Sequence, residues 1–481
     1  MVSDDQIQSG RHGGTRESAT GGERVHASLW CRLRLNLLAR QQLRHLANFL
    51  SVAAALDLNI VQFDMKNAFV QSKLDRVLFM EQQRYYNDGT NRVCKLLKSL
   101  YGLKQSLLLW YEALDNVLLG GGWNKSQVDE ALYFKTGTYG ERCWLIVYMD
   151  DLLAASRSLE MLKELRELLE NVFEMREITP VEKYLGLEIV RDRPTRKLWL
   201  HQRTYVDKLR RRFVDEEISG RHPKTPVSVD AYGERTFDDD DYQAREEEQY
   251  RQKVGSLQFA ASTLRPDIAF ACSKLGSGLT VQSDQHWREL DRCIDYVVNT
   301  RDFALEFGGG PDSLTLVGYA DADDAGDRES RTSTSGYVFV LGGATVSWAS
   351  QRIKCVTLSS IESEYIAATE AGKEARRLRF LLAEFKLLDP KTPPVINIDK
   401  SSTIAVAEGL GLKGSLKHME RRYIWLQHMV KRKKFALTYI PTSEQPADYL
   451  TKALHSPAFI RCGVADGHIT LADGENDNTR N

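Results

Sequence analysis

Two adjacent acids, Asp150 and Asp151, interrupt an otherwise apolar stretch, with residues 143–149 before them and 152–155 after. Apolar runs of this length around two polar residues predict strand, tight turn, strand. Such a hairpin would carry two carboxylates to the edge of a buried sheet. Paired acids in an apolar setting are costly without a cation to neutralise them, and a divalent metal ion is the natural candidate. For the tetrapeptide Tyr148-Met149-Asp150-Asp151 alone, an exposed Asp–Asp turn is an equally good account.

The remaining composition sets the frame. A chain of 481 residues is long enough for two or three domains with sizeable cores. Seven scattered cysteines without a CxxC pair argue for a reducing compartment and against zinc and disulfides. No apolar run approaches the roughly 20 residues of a membrane span, and no signal peptide opens the chain. The expected setting is intracellular, a cytoplasmic particle or the nucleus. A net charge of −1 hides strong local imbalance. Residues 191–212 hold nine Lys/Arg against two acids, residues 413–434 eight against one, and residues 230–248 nine acids against two Arg. Basic stretches of this kind can grip a phosphate backbone or simply be solvated helix faces.

Along the chain, residues 1–28 are rich in Gly, Ser, Thr and charge and predict disorder. Residues 29–56 interleave Leu and Arg and predict helix. Leu107, Trp110, Tyr111, Leu114, Val117 and Leu118 follow helical spacing, as do Leu162, Leu165, Leu168, Leu169 and Val172. Both stripes are read as core packing. An acidic linker over 215–248 leads to a helical connector over 249–300, and Gly308-Gly309-Gly310-Pro311 marks a boundary. Strands are predicted at 314–319, 336–341 and 344–348. A helix over 360–387, a strand at 395–398, a basic helix and a strand at 435–440 follow.

Asp64 lies in a second apolar segment, Val61-Gln62-Phe63-Asp64-Met65, and Ser99-Leu100-Tyr101-Gly102-Leu103-Lys104-Gln105 precedes the first helical stripe. With the Asp150-Asp151 hairpin, these segments resemble the reverse transcriptase of copia-type retrotransposons. The likeness continues through Lys183-Tyr184-Leu185-Gly186, Thr263-Leu264-Arg265-Pro266-Asp267-Ile268, Tyr319-Ala320-Asp321, Glu362-Ser363-Glu364 and Ala447-Asp448-Tyr449-Leu450-Thr451-Lys452. Several motifs in one fixed order, over roughly residues 50 to 455, make it specific.

The resemblance implies an α/β (α+β) fold with three parts: a palm-type reverse transcriptase domain, a helical connector and a C-terminal ribonuclease H-like α/β domain. The matching boundaries are 50–214, 215–311 and 312–455, with a poorly matching N-terminus over 1–49 and a tail over 456–481. It implies DNA synthesis on a template and cleavage of RNA in hybrids, with Mg²⁺ or Mn²⁺, two per active site. Partners would be an RNA template, a DNA primer, an RNA–DNA hybrid and deoxynucleoside triphosphates, with no membrane. Asp64, Asp150 and Asp151 would be the polymerase acids, the first two bridging the ions and Asp151 assisting. Phe69 and Gln105 would contact the nucleotide, and Tyr184, Leu185 and Gly186 the primer. Asp321, Glu364, Asp399 and Asp448 would form the ribonuclease site.

Departures from the family pattern are also present. Ser106-Leu107-Leu108 replaces Ala-Pro-Arg, Asp324 replaces tryptophan, Glu420 replaces an aspartate, and Asp291 and Asp295 lie on a helix that is usually basic. Lys400, in place of asparagine, is expected to pair with Asp399. Residues 1–50 do not match the fingers segment, so a fragment with truncated fingers is expected. The alternative is a decayed copy that folds and at most binds nucleic acid. A calcium loop at Asp321, Asp323 and Gly326 is disfavoured because Ala325 and Thr332 stand at its fifth and twelfth positions.

Overall fold

Phe63 and Met65, on one face of a strand and fully buried, anchor the core of the first half. In the computed structural model, the described residues are 46–82, 85–103, 105–214, 222–229, 247–279, 283–310, 313–326, 331–387, 392–410 and 420–471. The readings made for residues 1–45, for 215–221 and 230–246 of the acidic linker, for 413–419 of the basic stretch and for Lys104 fall outside them. The described chain divides into two compact units. One runs from Leu58 to Val181, and the other joins residues 46–57 to Glu182 onward.

After helix α1 (46–55), the first unit holds β1 (Asn59–Met65), the short α2 (Ala68–Gln71) and the ribbon β2 (Phe79–Glu81) with β3 (Val93–Lys95). Helix α3 (Ser106–Gly120), β4 (Asn124–Lys125), β5 (Leu132–Thr136), β6 (Arg142–Tyr148), β7 (Asp151–Ser156), α4 (Leu159–Glu170) and β8 (Met175–Ile178) follow. Six strands form one sheet in the order β4-β5-β6-β7-β1-β8. Trp110, Leu114 and Leu118 from α3, and Leu162, Leu165 and Leu169 from α4, pack with Phe63, Leu145, Val147 and Leu152 in one core. Both predicted stripes are therefore packing faces, except that Val172 lies beyond the end of α4 and is exposed. Ser158 caps α4, its side chain accepting from the backbone N–H of Met161.

The second unit opens with β9 (Lys183–Tyr184), β10 (Leu187–Asp192), β11 (Lys197–His201) and α5 (Arg203–Phe213). Connector helices α6 (Glu247–Thr263), α7 (Ala269–Leu275) and α8 (Asp284–Asn299) lead to β12 (Phe303–Phe307). Next come β13 (Val317–Asp323), β14 (Thr334–Leu341), β15 (Ala344–Arg352), α9 (Ser360–Glu384) and β16 (Val395–Ile398). Then α10 (Ser401–Ala407), α11 (Glu420–Lys431), β17 (Ala436–Tyr439), α12 (Ser456–Ala465) and β18 (His468–Thr470) complete it. One sheet runs β18-β12-β11-β10-β9 and the other β15-β14-β13-β16-β17. In the latter β13, β14 and β15 are antiparallel while β16 and β17 join β13 in parallel. This is the ribonuclease H-like arrangement expected from the strand order. β13 extends to Asp323, so Asp321 and Asp323 are strand residues rather than the start of a loop.

Sheet pairing and core packing join segments on either side of residues 214, 311 and 455. β10 and β11 hydrogen-bond to each other, β11 to β12, and β12 to β18. One core contains Val206 and Leu209 of α5, Tyr250 and Leu257 of α6, Val338 and Trp348 of the ribonuclease H-like sheet, and Phe459 of α12. Phe459 and Cys462 of α12 are thus part of this core. At its centre the fully buried Arg265 donates from Nε and Nη2 to Asp267, at 2.9 Å and 2.8 Å, and from Nη2 to Thr300 Oγ1 at 2.6 Å. The Tyr296 hydroxyl donates to the same carboxylate at 2.8 Å. Burial alone would raise the Asp267 pKa, but the Arg265 guanidinium more than offsets it and holds the carboxyl low. Removing one member of such a pair strands a buried charge, at a cost of about 3–5 kcal/mol. Asp267→Ala should lower the urea midpoint of this unit by that equivalent at unchanged slope, and a loss under about 1 kcal/mol would contradict a structural role for the pair.

Candidate active sites

The Asp150-Asp151 hairpin forms as predicted. Tyr148 and Asp151 are paired across it, leaving Met149 and Asp150 as the turn. Met149 has a left-handed backbone with φ 52°, an unfavourable state for a non-glycine residue. The Trp110 indole donates to the Met149 carbonyl at 2.6 Å, and the Asp150 carbonyl accepts from Met65 N–H at 2.9 Å. Core packing thus locks the turn that presents the acids.

Register decides which acids meet. Asp64 of β1 lies directly across from Asp151 and from Arg176 of β8. Gln62 Nε2 donates to Asp151 Oδ1 at 3.0 Å, and Arg176 Nη2 donates to Asp64 Oδ2 at 3.2 Å. Burial raises the Asp151 pKa, the Gln62 hydrogen bond opposes that rise, and Asp150 and Asp64 add to it. The three acids therefore share one field without closing into a tight nest. Tyr101 senses the same field, its phenol raised by burial and then by Asp150 and Asp64. Its ring packs edge-on against Phe69 at 4.6 Å, so Phe69 and the Tyr101 segment reach the acids together. Gln105 stands at the N-terminus of α3 with its amide nitrogen buried and without a partner among the described residues. Ser106, where the family has alanine, donates to the Leu100 carbonyl at 2.5 Å and ties that loop down.

In the second unit, Tyr184 and Leu187 pair across a turn made by Leu185 and Gly186, whose φ values are 52° and 79°. Two consecutive positive φ values make the tight hairpin that glycine favours. The turn borders a cleft of about 370 Å³ lined by Lys183, Gly186, Tyr205, Lys208 and Phe259. Tyr184 itself is buried and serves the core.

The C-terminal acids converge at one sheet edge. β13 and β16 run parallel, so Asp321 near the end of one and Asp399 just after the other lie side by side. Glu364, in the second turn of α9, completes the group. One oxygen from each of Asp321, Glu364 and Asp399 lies within 4.8 Å of the others, the closest acidic triple among the described residues. Thr451 Oγ1 donates to Asp321 Oδ2, and Thr442 Oγ1 donates to Asp399 Oδ2 at 2.7 Å. Glu364 Oε2 and Asp399 Oδ1 are buried without a partner among the described residues. Unsatisfied carboxylate oxygens facing one another suit a hard divalent cation. Burial, then Asp321 and Asp399, push the Glu364 carboxyl up to about 9.

Asp448 stands beside this triple without entering it. Its Oδ1 is 3.0 Å from Lys452 Nζ, which also lies 3.8 Å from Asp321 Oδ2. Burial, then Asp321, push Asp448 up to about 7 against the pull of Lys452. The ammonium at this site was expected to be Lys400 on Asp399. Instead Thr442 occupies Asp399, Lys452 supplies the charge, and Lys400 acts only as a more distant field on Glu364. Lys452, Thr451 and Thr442 were missed as site residues, although the first two adjoin Asp448 in sequence. Asp324 accepts from Ser333 at 3.1 Å and Thr357 at 3.0 Å, a polar replacement for an aromatic contact. Asp291 is neutralised by Lys253 at 2.7 Å.

A carboxyl with a raised folded-state pKa binds more protons folded than unfolded, so stability falls as pH rises between the two values. For Glu364 that window runs from 4.5 to about 9. In chelating buffer, Glu364→Gln should melt higher than the parent at about pH 8, with the gain shrinking towards about pH 5. Differential scanning fluorimetry checks this, and a gain independent of pH would rule the carboxyl out as its source.

Residues 40–225 match the family described as reverse transcriptase (RNA-dependent DNA polymerase). The chain is 35% identical over 422 residues to a retrovirus-related Pol polyprotein from transposon TNT 1-94 of Nicotiana tabacum, covering 86% of this chain and 31% of that one. It is 31% identical over 414 residues to the corresponding polyprotein from transposon RE2 of Arabidopsis thaliana, covering 85% and 28%. A putative transposon Ty5-1 protein of Saccharomyces cerevisiae is 30% identical over 315 residues, which is 65% of this chain and 99% of that protein. The chain thus spans about a third of the length of the two plant relatives. Among solved structures, the LC11 RNase H1 in complex with an RNA/DNA hybrid matches at 17% identity and a TM-score of 0.22, covering 28% of this chain and 94% of that one. No helix among the described residues is long and apolar enough to cross a membrane.

Proposed function

We propose, for a chain that belongs to the reverse transcriptase family of copia-type retrotransposon Pol polyproteins, that it carries two separate phosphoryl-transfer sites. The first extends a DNA primer on an RNA or DNA template. The second hydrolyses RNA in a hybrid. The observation that carries the reading is the meeting of Asp321, Glu364 and Asp399 with buried carboxylate oxygens left unpartnered. The polymerase-like region at 50–214 and the ribonuclease H-like region at 312–455 are the proposed functional divisions.

In the second site, Asp321, Glu364 and Asp399 would hold Mg²⁺ or Mn²⁺, with Asp448 beside them. In the first, Asp64, Asp150 and Asp151 would do so. Two bound divalent ions per site supply a Lewis acid for the attacking oxygen and positive charge for the leaving one. The chain's own residues orient the rest. Thr451 and Thr442 fix the faces of Asp321 and Asp399. Phe69 and Tyr101 form an aromatic wall beside the acids for the sugar of a deoxynucleoside triphosphate. Gln105, whose buried amide nitrogen has no partner among the described residues, would turn that amide to the nucleotide. The Leu185-Gly186 turn would let a primer strand approach the backbone closely.

A second reading, a chain that binds nucleic acid without polymerising, is favoured by one contact. Arg176 occupies Asp64, and the three polymerase acids do not form a triple as tight as the C-terminal one. Primer extension on a primed RNA template with Mg²⁺ separates the two readings. Asp150→Asn should cut incorporation by on the order of 10²-fold or more, the scale for losing one group aimed at developing charge. Asp321→Asn should do the same to hybrid cleavage and leave extension intact. Equal extension by parent and Asp150→Asn removes the polymerase claim, and equal cleavage by parent and Asp321→Asn removes the nuclease claim.

A further inference from the structure

We propose that Lys452 is the resident counter-cation of the C-terminal acidic site, so that this site holds one divalent ion firmly and a second only by displacing the ammonium. The proposal rests on the metal-dependent reading above and assigns unequal strengths to the two ions.

Three observations carry it. First, the acids are unequal: Asp321, Glu364 and Asp399 come within 4.8 Å of one another, and Asp448 stays outside that group. Second, what engages Asp448 is Lys452, at 3.0 Å, one helical turn along the same segment. Third, the same ammonium also reaches the triple, 3.8 Å from Asp321 Oδ2, the oxygen that accepts from Thr451. Lys452 therefore bridges the triple to the fourth acid, where a second cation would sit.

Charge and geometry then set an order. A first divalent ion meets the three acids with two buried oxygens free of other partners. A second would need Asp448 and a face of Asp321, both already engaged by one positive charge, and like charges at such distances repel. The ammonium is not trapped: the Lys452 side chain remains 33% exposed, and its flexible stem lets the head swing into water. Its departure is thus possible but opposed by two carboxylates.

The test counts bound Mn²⁺ by electron paramagnetic resonance on the full chain carrying Asp64→Asn and Asp150→Asn, which silences the polymerase acids. The parent should bind one ion tightly and a second much more weakly. Lys452→Met should raise the second affinity by about 10-fold or more, the scale on which neighbours of metal ligands act, and change the first by less than about threefold. Lys452→Arg should keep the parent's behaviour, and if Lys452→Met does not fold, Lys452→Gln carries the same expectation. A second affinity unchanged by loss of the charge, or two ions bound equally in the parent, overturns the proposal. If Glu364→Gln leaves the tight ion in place, it is the metal-site reading that fails.

Discussion

Mutual repulsion of carboxylates withdrawn from water governs both halves of this molecule. Each half brings acids from distant strands to one sheet edge, and each has its own way of tolerating them. In the C-terminal sheet the parallel pairing of β13 and β16 forces Asp321 and Asp399 together, and α9 adds Glu364 to a site with little solvent. There the cost appears as a carboxyl pushed far above its ordinary range. In the first unit the acids sit half-exposed around a hairpin tip, where water screens them. The deeper site is consequently the one that most requires a cation.

The hairpin at Asp150-Asp151 was legible because its flanks are apolar and its centre is not, a contrast that pattern reading detects. The ribonuclease H-like strand order was legible for the same reason, and the observed β16 coincides with the predicted 395–398. Register was not legible. Pairing Asp64 with Asp151 depends on which residues of β1 and β7 face each other, and a shift of one residue would send Asp64 to the other face. The role of Lys452 was hidden for a related reason. A lysine after an acidic motif reads as surface charge until a helical turn brings it beside Asp448 and Asp321.

Which strands share a sheet across the linker was the least legible feature, and the packing explains why. Composition marks linkers where charge and Pro/Gly accumulate, as at 215–248. It does not reveal that strands before and after such a linker belong to one sheet. β11 and β12 are separated by the acidic stretch and the whole connector, yet they are hydrogen-bonded neighbours. The Thr263-to-Ile268 motif, singled out on resemblance, proves to be structural: Arg265 and Asp267 tie the connector together beneath Tyr296 and Thr300.

The two protein cations beside the acids then differ in kind. Arg176 meets Asp64 with its side chain 64% exposed, and exposed pairs of this sort contribute about 0–1 kcal/mol. A guanidinium held so loosely can leave Asp64 at little cost when a more highly charged ion arrives. Lys452 lies deeper and faces two carboxylates at once, and those carboxylates raise its pKa although burial alone would lower it. An arriving ion therefore meets weak competition at Asp64 and strong competition at Asp448. By this argument the looser acidic cluster of the first unit is compatible with catalysis, because the cation beside Asp64 is a weakly held, exposed guanidinium rather than a packed obstacle.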